Sequence, residues 1–327
     1  DNSSETMQWE ELANMSFTVK VDENLGFNIP FPTSGETPAN IMVDWGDGSA
    51  LTIVNKGTTL SDGDGFNYEY AETGEYTITI YSDQVDETEQ QIPKINFWYN
   101  RKNNNNHQKL VLINTPFLNT ETEDFNYCFY YCSNLISIPE ELFDKNIEVT
   151  SFEYCFEVCS NLTSIPTRLF DKNINVTSFF GCFQKCSTLE SIPKGLFDKN
   201  IEVEVFRGCF SDCRNLKEVP EGLFDNNKKA TNFMSCFSLC SNTTLNKNIF
   251  SNEGSTDRFS GMNMRFNHCF QHAGKDSTNP GEAPELWKYE RGGSTWNTTG
   301  CFDNANATNL TLDYEYNTEW GTPLNWN

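Results

Sequence analysis

The chain has 327 residues, enough for about two domains of roughly 150 residues each. Acidic side chains outnumber basic ones 46 to 23, giving a formal charge of −23, and no Lys/Arg stripe offsets them; phosphate backbones are excluded as a partner. No run of about 18 apolar residues occurs, so nothing in the sequence reads as a transmembrane helix. The polar opening DNSSETMQWEE, within residues 1–12, reads as an exposed tether. With Asp first, a targeting segment is expected to have been removed upstream, and any lipid anchor to have lain there.

Residues 13–95 alternate between apolar and polar. MSFTVKV, IMVDWGDGS, LTIVN, FNYEY and GEYTITIYS are short runs separated by Gly, Asp and Asn, which predicts an all-β sandwich. Val43 to Ser49, VDWGDGS, followed by Tyr68-Glu-Tyr70 and Gly74-Glu-Tyr76-Thr-Ile-Thr-Ile, resembles the polycystic-kidney-disease-type (PKD-type) Ig-like domain. The chain departs from that family in lacking an aromatic inside WGDG and in a longer acidic loop.

Residues 96–327 repeat. Cys-Phe pairs open at Cys128, Cys155, Cys182, Cys209 and Cys236, always 27 residues apart, with further pairs at Cys269 and Cys301 spaced 33 and 32. In the second unit Cys155, Phe156, Cys159, Leu162, Ile165, Leu169, Phe170, Ile174, Val176 and Phe179 are each expected to face inward. A unit that cannot bury such a ridge alone must stack on its neighbours. The FxxCFxxC spacing predicts a turn of helix. LxxIP predicts a short strand stopped by proline, and DKN a polar turn. Lys109 to Tyr127, with Phe125 in the register of Phe152, reads as the upstream cap; Trp287, Trp296, Trp320 and Trp326 read as aromatics covering the far end.

The skeleton Phe152, Cys155, Phe156, Cys159, Leu162 and Ile165 resembles the BspA-type leucine-rich repeats of bacterial surface proteins, with Cys in place of the family's usual Ala and a longer unit. The expected fold is therefore two domains: an N-terminal all-β Ig-like, PKD-like sandwich (13–95), then an α/β leucine-rich-repeat solenoid with 27-residue repeats and capping units (96–327). The resemblance implies a Bacteroides-type protein at the cell surface that adheres by binding protein.

The residues that could carry chemistry point the same way. Seven cysteines share the first position of the pair and five the second, so a ladder of bridges cannot pair completely. Reduced core thiols are expected, with bridges between neighbouring units and metal as alternatives. His268 and His272 lie four apart but without the H-E-x-x-H of a zinc helix, and are read as solvent-facing. Asp44, Asp47, Asp62 and Asp64 resemble part of a calcium loop without its completing bidentate acid, and Asp144, Asp171, Asp198 and Asp225 read as turn formers. No G-x-S-x-G elbow occurs. No catalytic residue, metal or cofactor is expected, with calcium as the one alternative.

The candidate ligand-binding residues are the variable positions flanking the strand: Ile136, Thr163, Glu190 and Lys217 on one side, Glu140, Thr167, Lys194 and Glu221 on the other. A monomeric, extracellular, non-enzymatic adhesin recognising a protein is the leading expectation. A glycan-binding accessory protein, for which Trp287 to Trp326 are the candidate aromatics, and a structural spacer are the alternatives.

Overall fold

The computed structural model describes residues 12–31, 35–60, 65–98, 106–250, 256–310 and 320. The expected tether lies outside these residues except for Leu12, as do Asp62, Asp64 and Trp326. No helix among the described residues is long and apolar enough to cross a membrane.

The alternating runs of the first third become strands: β1 (Ala13–Val21), β2 (Gly26–Pro30), β3 (Gly35–Glu36), β4 (Ile41–Asp44), β5 (Thr52–Val54), β6 (Thr59–Leu60), β7 (Gly65–Glu69) and β8 (Gly74–Ser82). A further strand, β9 (Leu110–Ile113), completes a five-stranded sheet of order β5-β4-β8-β1-β9. In β1 the period of two buries Met15, Phe17, Val19 and Val21, opposite Ile78 and Ile80 of β8. The pair β2-β7 faces this sheet, with Phe27 6.2 Å from Phe17 between ring centroids. Two antiparallel layers around one core are compatible with a β-sandwich. The WGDG turn needs its first glycine: Gly46 has φ +78°, and a Cβ there would lie 2.3 Å from the Thr77 carbonyl oxygen.

The sheet does not end where the repeats begin. β9 pairs antiparallel with β1 and bridges Ser137 of the first repeat in parallel through Leu112. The segment just before it covers the open end of the first repeat. Lys94 pairs with Asp124 at 2.9 Å, the Phe97 amide donates to the Cys128 carbonyl, and the Phe97 ring stacks on Phe129 at 5.6 Å. One buried core consequently runs from Met15 to Trp320.

The expected α/β leucine-rich-repeat solenoid is overturned. The helical elements among the described residues are one turn, α1 (Asn106–Lys109), before the repeats and a 3-10 turn at Leu286–Lys288. The repeats themselves are stacked turns joined by single parallel bridges, such as Asp124↔Ser151, Ser151↔Ser178 and Ser178↔Val205 on one side and Ser164↔Ser191 and Ser191↔Glu218 on another. Neither the helix nor the strand of a leucine-rich repeat forms, so that family's architecture does not carry over.

The FxxCFxxC segment shows why. In the third repeat the amides of Phe179, Gly181, Phe183 and Lys185 donate to the carbonyls of Val205, Arg207, Cys209 and Ser211 in the next rung, at 2.7–2.9 Å. The intervening amides of Cys182, Gln184 and Cys186 close local turns onto Phe179, Gly181 and Phe183. An α-helix would send every amide four residues back. Here the chain swings into the left-handed region every fourth residue, at Tyr154 (φ 55°) and Val158 (φ 62°), then Gly181 (61°) and Lys185 (59°). A facing that recurs every four residues imitates the 3.6 period of a helix, and it buries the same Phe and Cys columns.

All twelve cysteines are free and buried. From the second pair to the fifth, the second thiol donates to a carbonyl 30 residues back: Cys159 to Phe129, Cys186 to Phe156, Cys213 to Phe183 and Cys240 to Phe210, at 3.1–3.2 Å. One other expectation is corrected. Ile174, expected inside, is 54% exposed, as are its equivalents Ile147 and Ile201 at 52% and 54%. The DKN segment is a turn, and its asparagine also reaches beyond it. Asn173, Asn200 and Asn227 are buried, and each side-chain amide clamps two carbonyls of the preceding rung, as Asn200 does with Phe170 (3.1 Å) and Asn173 (2.9 Å).

Candidate binding surface

Four residue columns of each rung flank the buried Phe and Cys positions along the turn segment. They are filled differently in every repeat: Asn126, Tyr127, Tyr130 and Tyr131, then Glu153, Tyr154, Glu157 and Val158, then Phe180, Gly181, Gln184 and Lys185. In the first rungs these columns carry an unbroken aromatic row. Tyr131 stacks on Trp98 at 5.4 Å and lies edge-on to Tyr130 at 4.6 Å; Tyr130 meets Tyr127 at 5.5 Å. Tyr127 stacks on Tyr154 at 5.0 Å, Tyr154 packs on Phe180 at 4.5 Å, and the Arg207 guanidinium caps Phe180 at 4.8 Å. Tyr127 and Tyr131 stay 40% and 38% exposed.

Three of these tyrosines stand where the backbone disfavours them. Tyr127, Tyr131 and Tyr154 have φ of 58°, 60° and 55°, in the left-handed region that costs a side-chain-bearing residue about 1–2 kcal/mol. At the position of Tyr127 and Tyr154, later rungs use Gly181, Gly208 and Gly300. A Cβ on Gly181 would meet the Tyr154 ring at 2.5 Å, so the glycine also makes room for the ring to lie across the next rung. The column of Tyr127 and Tyr154 also takes Ser235 and His268, and the column of Tyr131 carries a side chain in the other rungs, among them Val158, Lys185 and Leu239. Tyr127→Gly is accordingly expected to change stability by less than about 1 kcal/mol, relief of the strain offsetting the lost ring contact, as read by thermal denaturation.

Carboxylates underlie the row. Glu157 is buried beneath it and paired with Lys185 at 3.2 Å; burial raises its pKa, with the lysine opposing the shift. Glu153 accepts from the Ser178 hydroxyl at 2.8 Å. Burial first, then the neighbouring Tyr127 and Glu157, push the Tyr154 phenol up to about 12. Burial likewise raises the Tyr127 phenol, so Tyr127 and Tyr154 remain neutral hydroxyl donors in any physiological medium.

The residues singled out from sequence lie on another part of the rung. Thr163, Glu190 and Lys217 follow one another along the stack, with the Glu190 amide on the Thr163 carbonyl and the Lys217 amide on that of Glu190. Glu190 and Lys217 neutralise each other in an exposed 2.5 Å ion pair. Ile136 is exposed, as are Glu140, Thr167, Lys194 and Glu221; of these Glu221 accepts from Asn248. The set is an aligned polar edge, without the aromatic content of the turn face. The glycan candidates are also relocated: Trp320 is fully buried, Trp296 is 8% exposed, and Trp287 packs edge-on against Phe302. These rings close the end of the core.

Among the described residues no group of three His, Cys, Asp or Glu is arranged to hold a metal ion. Asp44 and Asp47 accept the amides of Gly46 and Ser49, and Asp47 also takes the Tyr68 hydroxyl. His268 and His272 occupy the two left-handed positions of their rung, half-buried rather than solvent-facing. No protein-family model, curated protein or solved structure matches this chain.

Proposed function

We propose that this is a non-enzymatic binding protein that recognises another protein through the aromatic row of Tyr127, Tyr130, Tyr131, Tyr154 and Phe180. The observation that carries this reading is the aromatic row continuous across successive rungs, with Tyr127 and Tyr154 at a left-handed position that other rungs fill with Gly181, Gly208 and Gly300 as well as with Ser235 and His268. Tyr, Trp and Arg at the centre of a patch are the side chains that concentrate binding energy in protein interfaces, through apolar bodies and polar tips. The stacking favours protein over sugar. Tyr127 and Tyr154 turn their ring faces toward each other, at an interplanar angle of 18°. The faces they turn to each other are closed, whereas a sugar needs an open ring face on which to lie.

The test is an array of extracellular matrix proteins and glycans probed with the purified chain, with and without calcium, in keeping with the extracellular location expected from the sequence. Saturable binding to a protein, independent of calcium, is the expected result. Binding confined to glycans, or to no member of either class by a folded sample, contradicts the proposal.

A further inference from the structure

Resting on that reading, we infer that the partner segment seated on the aromatic row is basic, an extended stretch bearing arginine side chains. Three features bear on it: the edge of the row, the charge beside it and the contact the protein already makes with itself.

A groove of about 990 Å³ opens where the first repeat meets the cap, lined by Glu87, Glu121, Glu123, Glu141, Asp144 and Glu148 together with the exposed Ile147. Two lysines share it, Lys145 and Lys172, and Lys145 is already paired with Glu87 at 2.7 Å. Glu123 and Thr150 of its wall immediately precede the segments that carry the row, Asp124–Tyr131 and Ser151–Val158. A chain crossing the tyrosines thus runs onto a surface where six carboxylates face two lysines. Burial, with Glu141 adding to it and Lys172 and Arg168 opposing it, raises the pKa of Asp144.

At its far end the row shows what such a partner would do. Arg207 lays its guanidinium over Phe180 at 4.8 Å, a cation on an aromatic face made within the chain itself. Arginine suits this surface better than lysine, because its planar, weakly hydrated head stacks on rings and still bonds carboxylates. The net charge of −23 adds long-range attraction for any cation, so the specific part of the binding has to be separated from the general one.

The experiment uses the full chain and three fluorescein-labelled peptides of equal length, alternating Ser with Arg, Lys or Glu, followed by fluorescence anisotropy at about 0.15 M salt. The Arg peptide is expected to bind at least about tenfold tighter than the Glu peptide and several-fold tighter than the Lys peptide. Tyr127→Ser with Tyr131→Ser should weaken Arg-peptide binding about tenfold. With the tyrosines intact, Glu123→Gln with Glu148→Gln should weaken it several-fold and flatten its salt dependence. Glu140→Gln with Glu221→Gln removes the same charge from the other edge and should change it less than twofold. Equal loss in the two charge variants, or no loss in the tyrosine variant, would mean general electrostatics only and would overturn the inference. Should the array find a protein that needs the tyrosines while the Arg peptide does not bind, this inference fails and the proposed function stands.

Discussion

Raising the pH from 8 to 10 is expected to unfold this protein. Burial pushes every one of the twelve thiols above its unfolded value of 9.0, to about 12 for Cys128 and Cys240. An acid whose folded pKa is raised keeps its proton in the folded chain where the unfolded chain has lost it. Its contribution is fully present below pH 9 and declines as the pH rises from there toward the folded value. The loss is about 1.4 kcal/mol per thiol at pH 10. Multiplied over twelve sites, it exceeds the roughly 5–15 kcal/mol by which folded proteins are held. Denaturant titrations at pH 8, 9 and 10 would show stability falling ever more steeply. Replacing the four thiols Cys159, Cys186, Cys213 and Cys240 by alanine should reduce the slope by about a third, whatever it does to stability at pH 8. A slope unchanged by that replacement would show that these thiols are bridged or already ionised.

The second large effect is expected from Phe183→Ala, at about 3–5 kcal/mol of lost stability. Phe183 stacks on Phe156 at 5.3 Å and on Phe210 at 5.7 Å, in a column that continues through Phe237 and Phe270. It is fully buried, and its Cα is fixed by amide bonds to both neighbouring rungs, so the site cannot collapse to fill the cavity. A repeat stack is held by contacts between neighbours only, so a break at the centre separates two halves. Unfolding with a populated intermediate, followed by Trp fluorescence and far-ultraviolet circular dichroism, should replace the single transition of the parent.

The repeat boundaries and most of the core were legible in the sequence because burial is a column property. Cys155, Phe156, Cys159, Leu162, Phe170 and Phe179 recur at one period and are all fully buried. The secondary structure of the repeats was not legible. Phe152, Cys155, Phe156 and Cys159 fit a helix as well as they fit successive four-residue turns, and only the left-handed residues between them distinguish the two. Gly181 and Gly208 hint at those positions, but Tyr154 and Val158 conceal them. Ile174 misled because a fixed apolar residue reads as core, and the buried side chain of that turn is the preceding Asn173.

The proposed surface differs from the residues singled out in the sequence for a related reason. Searching beside the L-x-x-I-P segment followed from expecting a strand there, and the strand is a single bridging residue per rung. The signal that was available is the aromatic filling of otherwise variable positions in the first units only, Tyr127, Tyr130, Tyr131, Tyr154 and Phe180. The stacking that joins these residues across rungs has no counterpart in sequence order.

The most direct test of the central claim compares three forms of the chain against the protein that binds best on the array. Tyr127→Ser with Tyr154→Ser should weaken binding at least about tenfold, or roughly 1.4 kcal/mol, while Glu190→Gln with Lys217→Gln should leave it within twofold. The reverse result, with the ion-pair variant losing binding and the tyrosine variant keeping it, would move recognition to the polar edge of the rungs and contradict the account.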